Sequence, residues 1–265
     1  MMNYWKLGGT LDLGTYPRSQ ELQFSLTDTD NEKRFYKNPP AGWSADSFTY
    51  KYNSYGFRSR EFDLTETKPR ILSLGCSHTA GVGVPQHDSW SEQLGRTYFP
   101  DHVVWNAGLG GASADTVARL AVNMIPILKP DMVVILWPSV NRFETYHNGM
   151  TKTDTQFIGP WEKDLGIYAH DNTAYNNQTK NKLILELLQK MYGFTLLAID
   201  ADDVMQKLYY SIKWPVARDG EHYGIEWHWQ VAYDFNLQYS NPEDFKLKYT
   251  DINAYWEKYK DREVK

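Results

Sequence analysis

Four short apolar runs, each followed by a segment of helical periodicity, constrain the fold of this 265-residue chain more than any other feature. The apolar runs are residues 71–74, 103–105, 132–136 and 194–199. The helical segments that follow them are residues 88–98, 117–128, 179–192 and 225–239. Short buried runs that alternate with helices are typical of a parallel sheet whose crossover helices cover both faces. The sequence therefore predicts an α/β fold with a parallel central sheet.

Three other segments lack this alternation, and they divide the chain. Residues 1–69 are polar and aromatic with several turn clusters, which predicts an extension that packs on the core as an arm with short strands. The α/β domain itself is predicted over residues 70–240. Within it, residues 143–177 are polar and too long for an ordinary connection, which predicts an insertion that forms a lid or a substrate wall. Residues 241–265 are predicted to be a tail with one helix near 249–262.

Charge and composition exclude several classes of function. A formal net charge of −5 argues against nucleic acid and anionic membranes as partners. The single cysteine, Cys76, excludes an intrachain disulfide and a cysteine-rich metal site, and we expect no cofactor. The sequence has no signal-peptide core and no run of about 18 apolar residues, which predicts a cytoplasmic protein and suits a bacterial or viral source. Aromatic residues make up 15% of the chain, which suits contacts with sugars or self-association into a homo-oligomer.

Polar or glycine-rich segments follow the apolar runs at the ends where the predicted strands stop. Ser77 follows the first run, residues 108–111 follow the second, and Asn141 follows the third. Asp219 and His222 lie in a late loop that can fold back over the same edge. Open α/β sheets bind their ligands at the carboxyl ends of the strands. A serine before a helix is also a common N-cap, so Ser77 alone does not distinguish a cap from a reactive hydroxyl.

Together these residue types suit acyl transfer. A serine hydroxyl is a poor nucleophile until a base removes its proton, and a histidine aligned by an aspartate three residues earlier supplies that base. The negative oxygen of the tetrahedral intermediate then needs hydrogen-bond donors. The backbone N–H after the nucleophile, an N–H of the glycine-rich turn and the side-chain amide of an asparagine would provide three.

The chain at this point resembles the SGNH (GDSL-type) hydrolase family. Four blocks match in the family's order: Gly-Cys-Ser-His-Thr at 75–79, Asn-Ala-Gly-Leu-Gly-Gly at 106–111, Ser-Val-Asn at 139–141 and Asp-Gly-Glu-His at 219–222. An upstream segment at 53–58, Asn-Ser-Tyr-Gly-Phe-Arg, is similar to one that often precedes the first block in one branch of the family. The resemblance spans about residues 50–235. It implies a three-layer α/β/α flavodoxin-like fold and a serine esterase or acylhydrolase.

The resemblance also implies roles for particular residues. Ser77 is implied to be the nucleophile, and His222 and Asp219 to be the base and the residue that orients it. Gly111 and Asn141 are implied to be oxyanion donors beside the Ser77 N–H.

The sequence departs from the family's pattern at two places. Cys76 replaces the usual acid of the first block, and it is expected to be a small buried residue. Trp137 and Pro138 precede the third block, which lacks the family's usual glycine two residues before Asn141. Trp137 is counted among the side chains that line the site.

Other residues near the blocks have two interpretations each. Gly108 competes with Gly111 as the second oxyanion donor, and the position within the block favours Gly111. His78 either lines the site or is a solvated residue at the start of a helix. Arg142 either forms a surface pair with Glu144 or binds an anionic substrate.

The late helical segment contains another histidine and two tryptophans. His228, six residues after His222, is predicted to pack or cap rather than to act as a second base or metal ligand. Trp227 and Trp229 face different directions on a helix, so at most one of them lines the cleft.

The sequence thus predicts a serine esterase that removes a small acyl group, with an acetylated carbohydrate as the first candidate substrate. Two alternatives stay open at this point. One is a non-catalytic binding module on the same fold, which the departures at Cys76 and Trp137 favour. The other is an acyltransferase that passes the acyl group to a sugar or an amine instead of water.

Overall fold

A four-stranded parallel sheet forms the centre of the computed structural model, which describes residues 15–25, 29–146, 155–159, 171–204 and 213–259. The strands in chain order are β1 (Glu21–Leu22), β2 (Tyr50–Lys51), β3 (Arg70–Gly75), β4 (Val103–Asn106), β5 (Met132–Trp137), β6 (Phe143–Tyr146), β7 (Thr155–Ile158) and β8 (Thr195–Asp200). The α-helices are α1 (Glu32–Lys37), α2 (Ser77–Ala80), α3 (Trp90–Gln93), α4 (Ala114–Leu128), α5 (Asp171–Tyr192), α6 (Ile225–Ser240), α7 (Pro242–Thr250) and α8 (Ile252–Tyr259).

The strand order of the central sheet is β4-β3-β5-β8, and every neighbouring pair is parallel. Counted along the chain, this is the order 2-1-3-4 that flavodoxin-like sheets share. The chain moves to one side of β3 to form β4 and then returns to the other side to form β5. The carboxyl end of β3 therefore lies at the switch point, where such sheets bind their ligands.

Apolar side chains of successive strand residues enter two cores on opposite faces of the sheet. Leu72 and Leu74 pack with residues of α4 and α5 on one face. Ile71 packs on the other face with residues of α3 and α6. Alternation along β3 places neighbouring side chains on opposite faces, and each face is covered by helices. The predicted three-layer α/β/α arrangement is confirmed.

Several predicted boundaries are wrong. Helix α5 begins at Asp171 rather than near residue 179, because Ala174 and Gln178 are buried and Asn177 donates to Asp115 Oδ1 at 2.9 Å. Its first turns therefore belong to a crossover helix and not to the insertion predicted over 143–177. The described remainder of that insertion is the antiparallel pair β6–β7, and residues 147–154 and 160–170 lie outside the described part.

The two ends of the chain also differ from the prediction. The tail forms two helices, α7 and α8, instead of one, because Asn241 caps α7 and Pro242 occupies its first turn, where proline needs no N–H partner. The segment before residue 70 contains a helix, α1, capped by Asn31, besides the short antiparallel pair β1–β2. The last turn of the helix predicted over 88–98 is a wider π turn at Leu94–Tyr98.

A buried ion pair joins the N-terminal segment to the late loop. Arg218 and Asp30 are both fully buried, and the Arg218 Nη2 lies 2.8 Å from Asp30 Oδ2. The same carboxylate accepts the Tyr50 hydroxyl at 2.6 Å, and that hydroxyl accepts the backbone N–H of Gly83 at 2.8 Å. The N-terminal segment is thereby connected to residue 218 by a buried ion pair and to the loop after α2 by the buried Tyr50 hydroxyl.

We expect Arg218→Met to lower the free energy of unfolding by about 3–5 kcal/mol, because it leaves the Asp30 carboxylate buried without its counter-charge. The matched control is Arg34→Met. Arg34 pairs with Glu221 between the same two segments, but both side chains are about half exposed. Exposed pairs contribute at most about 1 kcal/mol. Urea denaturation of the two variants measures the difference, and equal losses would contradict this account of the buried pair.

Candidate active site

The turn between β3 and α2 places Ser77 at the switch point of the sheet. Gly75 ends the strand with a φ of 152°. A Cβ at Gly75 would lie 2.1 Å from Thr79 Oγ1 and 2.7 Å from the Leu136 carbonyl oxygen, so only glycine lets α2 approach the sheet this closely. Cys76 is buried beside it, as expected for a small core residue. The chain then turns into α2, whose first residue is Ser77.

The structure brings Ser77, His222 and Asp219 into one hydrogen-bonded chain. Ser77 Oγ lies 2.8 Å from His222 Nε2, although 145 positions separate the two residues in the sequence. His222 Nδ1 lies 2.5 Å from Asp219 Oδ2. The Asp219 side chain is inaccessible to solvent, and 12% of the His222 side chain is exposed. A hydroxyl, an imidazole and a carboxylate in this order have the geometry of a serine activated by a base.

The Asp219 carboxylate accepts hydrogen bonds on both oxygens. Oδ1 accepts the backbone N–H groups of Glu221 and His222 at 3.0 and 2.9 Å. Oδ2 accepts from His222 Nδ1 and from the hydroxyl of Thr29. Burial by itself raises the pKa of Asp219, but the hydrogen bonds from His222 and Thr29 and the charge of His222 outweigh burial and lower the pKa below its usual value. The group is therefore a carboxylate at neutral pH.

Two further histidines lie behind His222. The ring of His78 is buried and lies 4.9 Å from the His222 ring between centroids, so the interpretation of His78 as a solvated residue is wrong. His78 also packs against Tyr223 and Trp227. His228 is fully buried, and its Nδ1 accepts the backbone N–H of Trp90 at 3.1 Å, in agreement with the predicted packing role.

The two tryptophans of α6 differ in solvent exposure, as expected for residues two positions apart on a helix. Trp227 is fully buried and contacts His78, whereas Trp229 is about half exposed.

The glycine-rich turn after β4 distinguishes the two candidate oxyanion donors. The Gly108 N–H donates to Asn106 Oδ1 at 2.9 Å, and a Cβ at Gly108 would lie 2.4 Å from the Ala80 nitrogen. Gly108 therefore serves close packing of the turn against α2. The N–H groups of Ala107, Leu109, Gly110 and Ala112 also have hydrogen-bond acceptors within the described part of the chain. Of residues 107–112, Gly111 alone has an N–H without such an acceptor there, which leaves it available to a ligand.

The segment after β5 carries the remaining candidates. Asn141 Oδ1 lies 2.9 Å from the Ser139 hydroxyl, which also lies 3.0 Å from Asp202 Oδ2. Trp137 is the last residue of β5 and belongs to the buried core.

The interpretation of Arg142 and Glu144 as a surface pair is wrong. Glu144 is buried and forms its ion pair with Arg119, at 2.6 Å between Nη2 and Oε1. Arg142 itself is partly exposed and lies in the same turn as Asn141.

Sequence reasoning missed the contribution of the N-terminal segment. Tyr16 accepts the Gly110 N–H at 2.7 Å, Arg58 donates to the carbonyl oxygens of Gly81 and Val84, and Thr29 donates to Asp219. Arg58 lies in the segment at 53–58 that resembles the family's upstream block, so a signal existed for it. Thr29 lies in no motif, and no signal in the sequence indicates it.

The fold and the site together consist of an α/β domain with a hydrogen-bonded serine, histidine and aspartate at the switch point of its sheet. Known proteins resemble this chain in structure but not in sequence. No protein-family model and no curated protein sequence matches the chain. Among solved structures, 37 chains match. A two-domain esterase active on acetylated mannans is 18% identical, with a TM-score of 0.34, over 68% of this chain and 49% of that one. The chain thus spans about half the length of that esterase.

Two other solved structures match over nearly their whole length. The psychrotrophic esterase EstA from Pseudoalteromonas sp. is 13% identical, with a TM-score of 0.35, over 65% of this chain and 98% of that one. A lipase/acylhydrolase from Enterococcus faecalis is 14% identical, with a TM-score of 0.34, over 64% and 95%. At these identities and TM-scores the likeness does not assign an activity to this chain.

The described residues lack two kinds of feature. Helices of the length and apolarity needed to span a bilayer do not occur among them. Nor do these residues include a group of three or more His, Cys, Asp or Glu side chains arranged as metal ligands.

Proposed function

We propose that the protein is a serine ester hydrolase of the SGNH type, with Ser77 as nucleophile, His222 as general base and Asp219 as the residue that orients it. One observation supports this most strongly: the continuous hydrogen-bonded chain from Ser77 Oγ through His222 to Asp219 Oδ2, at the carboxyl edge of the sheet. Ser77 lies directly after strand β3, whereas His222 lies in a loop 145 positions later in the sequence. Such a convergence is hard to explain as a helix cap.

The reaction follows from these contacts. Ser77 Oγ attacks the acyl carbon of the ester while its proton passes to His222 Nε2. Asp219 accepts the Nδ1–H and stabilises the imidazolium. The negative oxygen of the intermediate is stabilised by the Ser77 and Gly111 N–H groups and by the Asn141 amide. His222 then protonates the leaving alkoxide, and a water deprotonated by His222 hydrolyses the acyl-enzyme and frees Ser77.

For the substrate we propose a small acyl group, with acetyl as the first candidate, on a carbohydrate. The polar segment at 143–177 and the 15% aromatic content suit a sugar better than a long acyl chain. A panel of acetylated sugars, short nitrophenyl esters and long acyl esters tests this proposal. We expect turnover of the acetylated compounds, and a clear preference for long chains would contradict the proposed substrate. Product analysis with an added glycan acceptor distinguishes hydrolysis from acyl transfer.

The pH dependence of the reaction should report on His222. Burial lowers the pKa of His228 to about 3, so His228 stays neutral above pH 5. Burial also lowers the pKa of His78 well below its usual value, which favours its neutral form. Asp219 has a lowered pKa and stays ionised above pH 5. We therefore expect kcat/KM to fall on the acidic side of the pH–rate profile, because His222 must be neutral to accept the serine proton. A pH–rate profile from 5 to 9 that is flat on its acidic side would contradict the assignment of His222 as the base.

A further inference from the structure

Two consecutive residues of the N-terminal segment form hydrogen bonds with two consecutive residues of the late loop. The Thr29 hydroxyl donates to Asp219 Oδ2, and the next residue, Asp30, binds the guanidinium of Arg218. We infer that Thr29 is a positioning residue for the Asp219–His222 pair, held in place by the ion pair between Asp30 and Arg218. This inference rests on the proposed function and adds to the site a residue from outside the α/β core.

The contacts of the Asp219 carboxylate show what Thr29 adds. Three of its hydrogen bonds come from within residues 219–222, namely from two backbone N–H groups and from the His222 ring. Within the described part of the chain, Thr29 provides the one hydrogen bond that ties the carboxylate to another segment. The Thr29 hydroxyl binds the oxygen that faces the imidazole, and its Oγ1 lies 3.3 Å from His222 Nδ1. It therefore acts on the oxygen that must stay in line with His222 during proton transfer.

Solvent cannot replace this hydrogen bond easily. The Asp219 side chain is inaccessible to solvent, so bulk water does not reach the oxygen that Thr29 occupies. A carboxylate oxygen can accept more than one hydrogen bond, so the loss of Thr29 leaves one buried acceptor position of Oδ2 without a donor. The Oδ2 atom would then keep His222 as its donor, but the direction of that contact would be less restricted.

The Asp30–Arg218 ion pair fixes the backbone on both sides of this contact. Both Asp30 oxygens accept from the Arg218 Nε, at 3.2 and 3.0 Å, and Oδ2 also accepts from Nη2 at 2.8 Å. The Arg218 N–H donates to the Gly83 carbonyl oxygen at 2.8 Å. Both charged side chains are fully buried. Because Thr29 and Asp219 are the immediate neighbours of this pair, their relative position is set by it.

Two substitutions of Thr29 test the inference with a short acetyl ester as substrate. Thr29→Val keeps the size and β-branching of the side chain but removes the hydroxyl, and we expect kcat to fall about tenfold with KM within about twofold. Thr29→Ser restores the hydroxyl and should recover most of the activity. Thr65→Val is the matched control, since the Thr65 hydroxyl donates to the exposed Asp63 at 2.7 Å. This control should behave as the wild type.

Two readouts separate positioning from a loss of folding. In Thr29→Val the acidic limb of the pH–rate profile should move to higher pH, because an Oδ2 with one donor fewer attracts the protonated imidazole more strongly. The proton NMR signal of His222 Nδ1–H should move in the same variant, and this signal can be observed without a substrate.

Activity and profile in Thr29→Val equal to those of the wild type would overturn the inference and leave the proposed function intact. Failure of Thr29→Ser to recover activity would also overturn it. A wild-type protein that neither cleaves short esters nor reacts with a fluorophosphonate would instead remove the proposed function, and the inference with it.

Discussion

Replacing Ser77 by alanine is expected to lower kcat for a short acetyl ester by about 10⁶-fold, as loss of the nucleophile does in serine hydrolases that act through a triad. The reason is that Ser77 Oγ is the atom positioned 2.8 Å from the His222 base. The oxyanion donors would remain, so a residual rate above that of uncatalysed hydrolysis should persist. Steady-state kinetics on purified protein, with circular dichroism as the check on folding, measure the effect.

The control for this prediction is the neighbouring thiol. Cys76 directly precedes Ser77, and its thiol is free and buried. Cys76→Ala should keep most of the activity, because it removes a small core side chain and no reacting group. If Cys76→Ala abolished turnover while Ser77→Ala retained it, the nucleophile would be the thiol and the proposed mechanism would be wrong.

Asp219→Asn is expected to lower kcat by about 10⁴-fold while the protein stays folded. The substitution keeps the shape of the side chain but replaces the carboxylate that holds His222 Nδ1 at 2.5 Å. An amide at this position favours the wrong tautomer of the imidazole and cannot stabilise the imidazolium that forms when Ser77 loses its proton. The loss should appear in kcat more than in KM, because the imidazolium exists only along the reaction path.

Asp63→Asn is the matched control for this second prediction. Asp63 also accepts a threonine hydroxyl and a backbone N–H, both from Thr65, but it lies on the exposed surface before β3. Its loss should leave kcat unchanged. Equal activity of Asp219→Asn and the wild type would show that His222 needs no carboxylate, and the role proposed for Asp219 would then be wrong.

The sequence predicted the parts of the molecule whose determinants are local. The apolar runs predicted the parallel sheet, because a strand buried on both faces must be apolar throughout. The approach of Ser77 to the late loop was expected from the order of the four blocks. The roles of these residues stay predictions. The sequence favoured Gly111 over Gly108 only from its position within the block. It did not indicate that the Asn106 side chain accepts the Gly108 N–H, because that contact depends on how the turn folds.

The parts that were missed depend on contacts between distant segments. Thr29 donates a hydrogen bond to Asp219, although 190 positions separate the two residues in the sequence. Nothing in the type of either residue predicts this contact. Helix α5 begins early because Asn177 and Asn181 both donate to Asp115, although asparagine has low helix propensity. In both cases the local structure depends on hydrogen bonds between residues that are distant in the sequence. Local helix and strand propensities do not predict such bonds.

Labelling with a fluorophosphonate, followed by peptide mass spectrometry, shows whether Ser77 is activated, because the probe reacts with a serine only when a base has activated it. We expect a single adduct on Ser77 in the wild type and no adduct in either Ser77→Ala or His222→Ala. An unlabelled wild-type protein, or an adduct that persists in His222→Ala, would contradict the claim that the imidazole 2.8 Å away activates this serine.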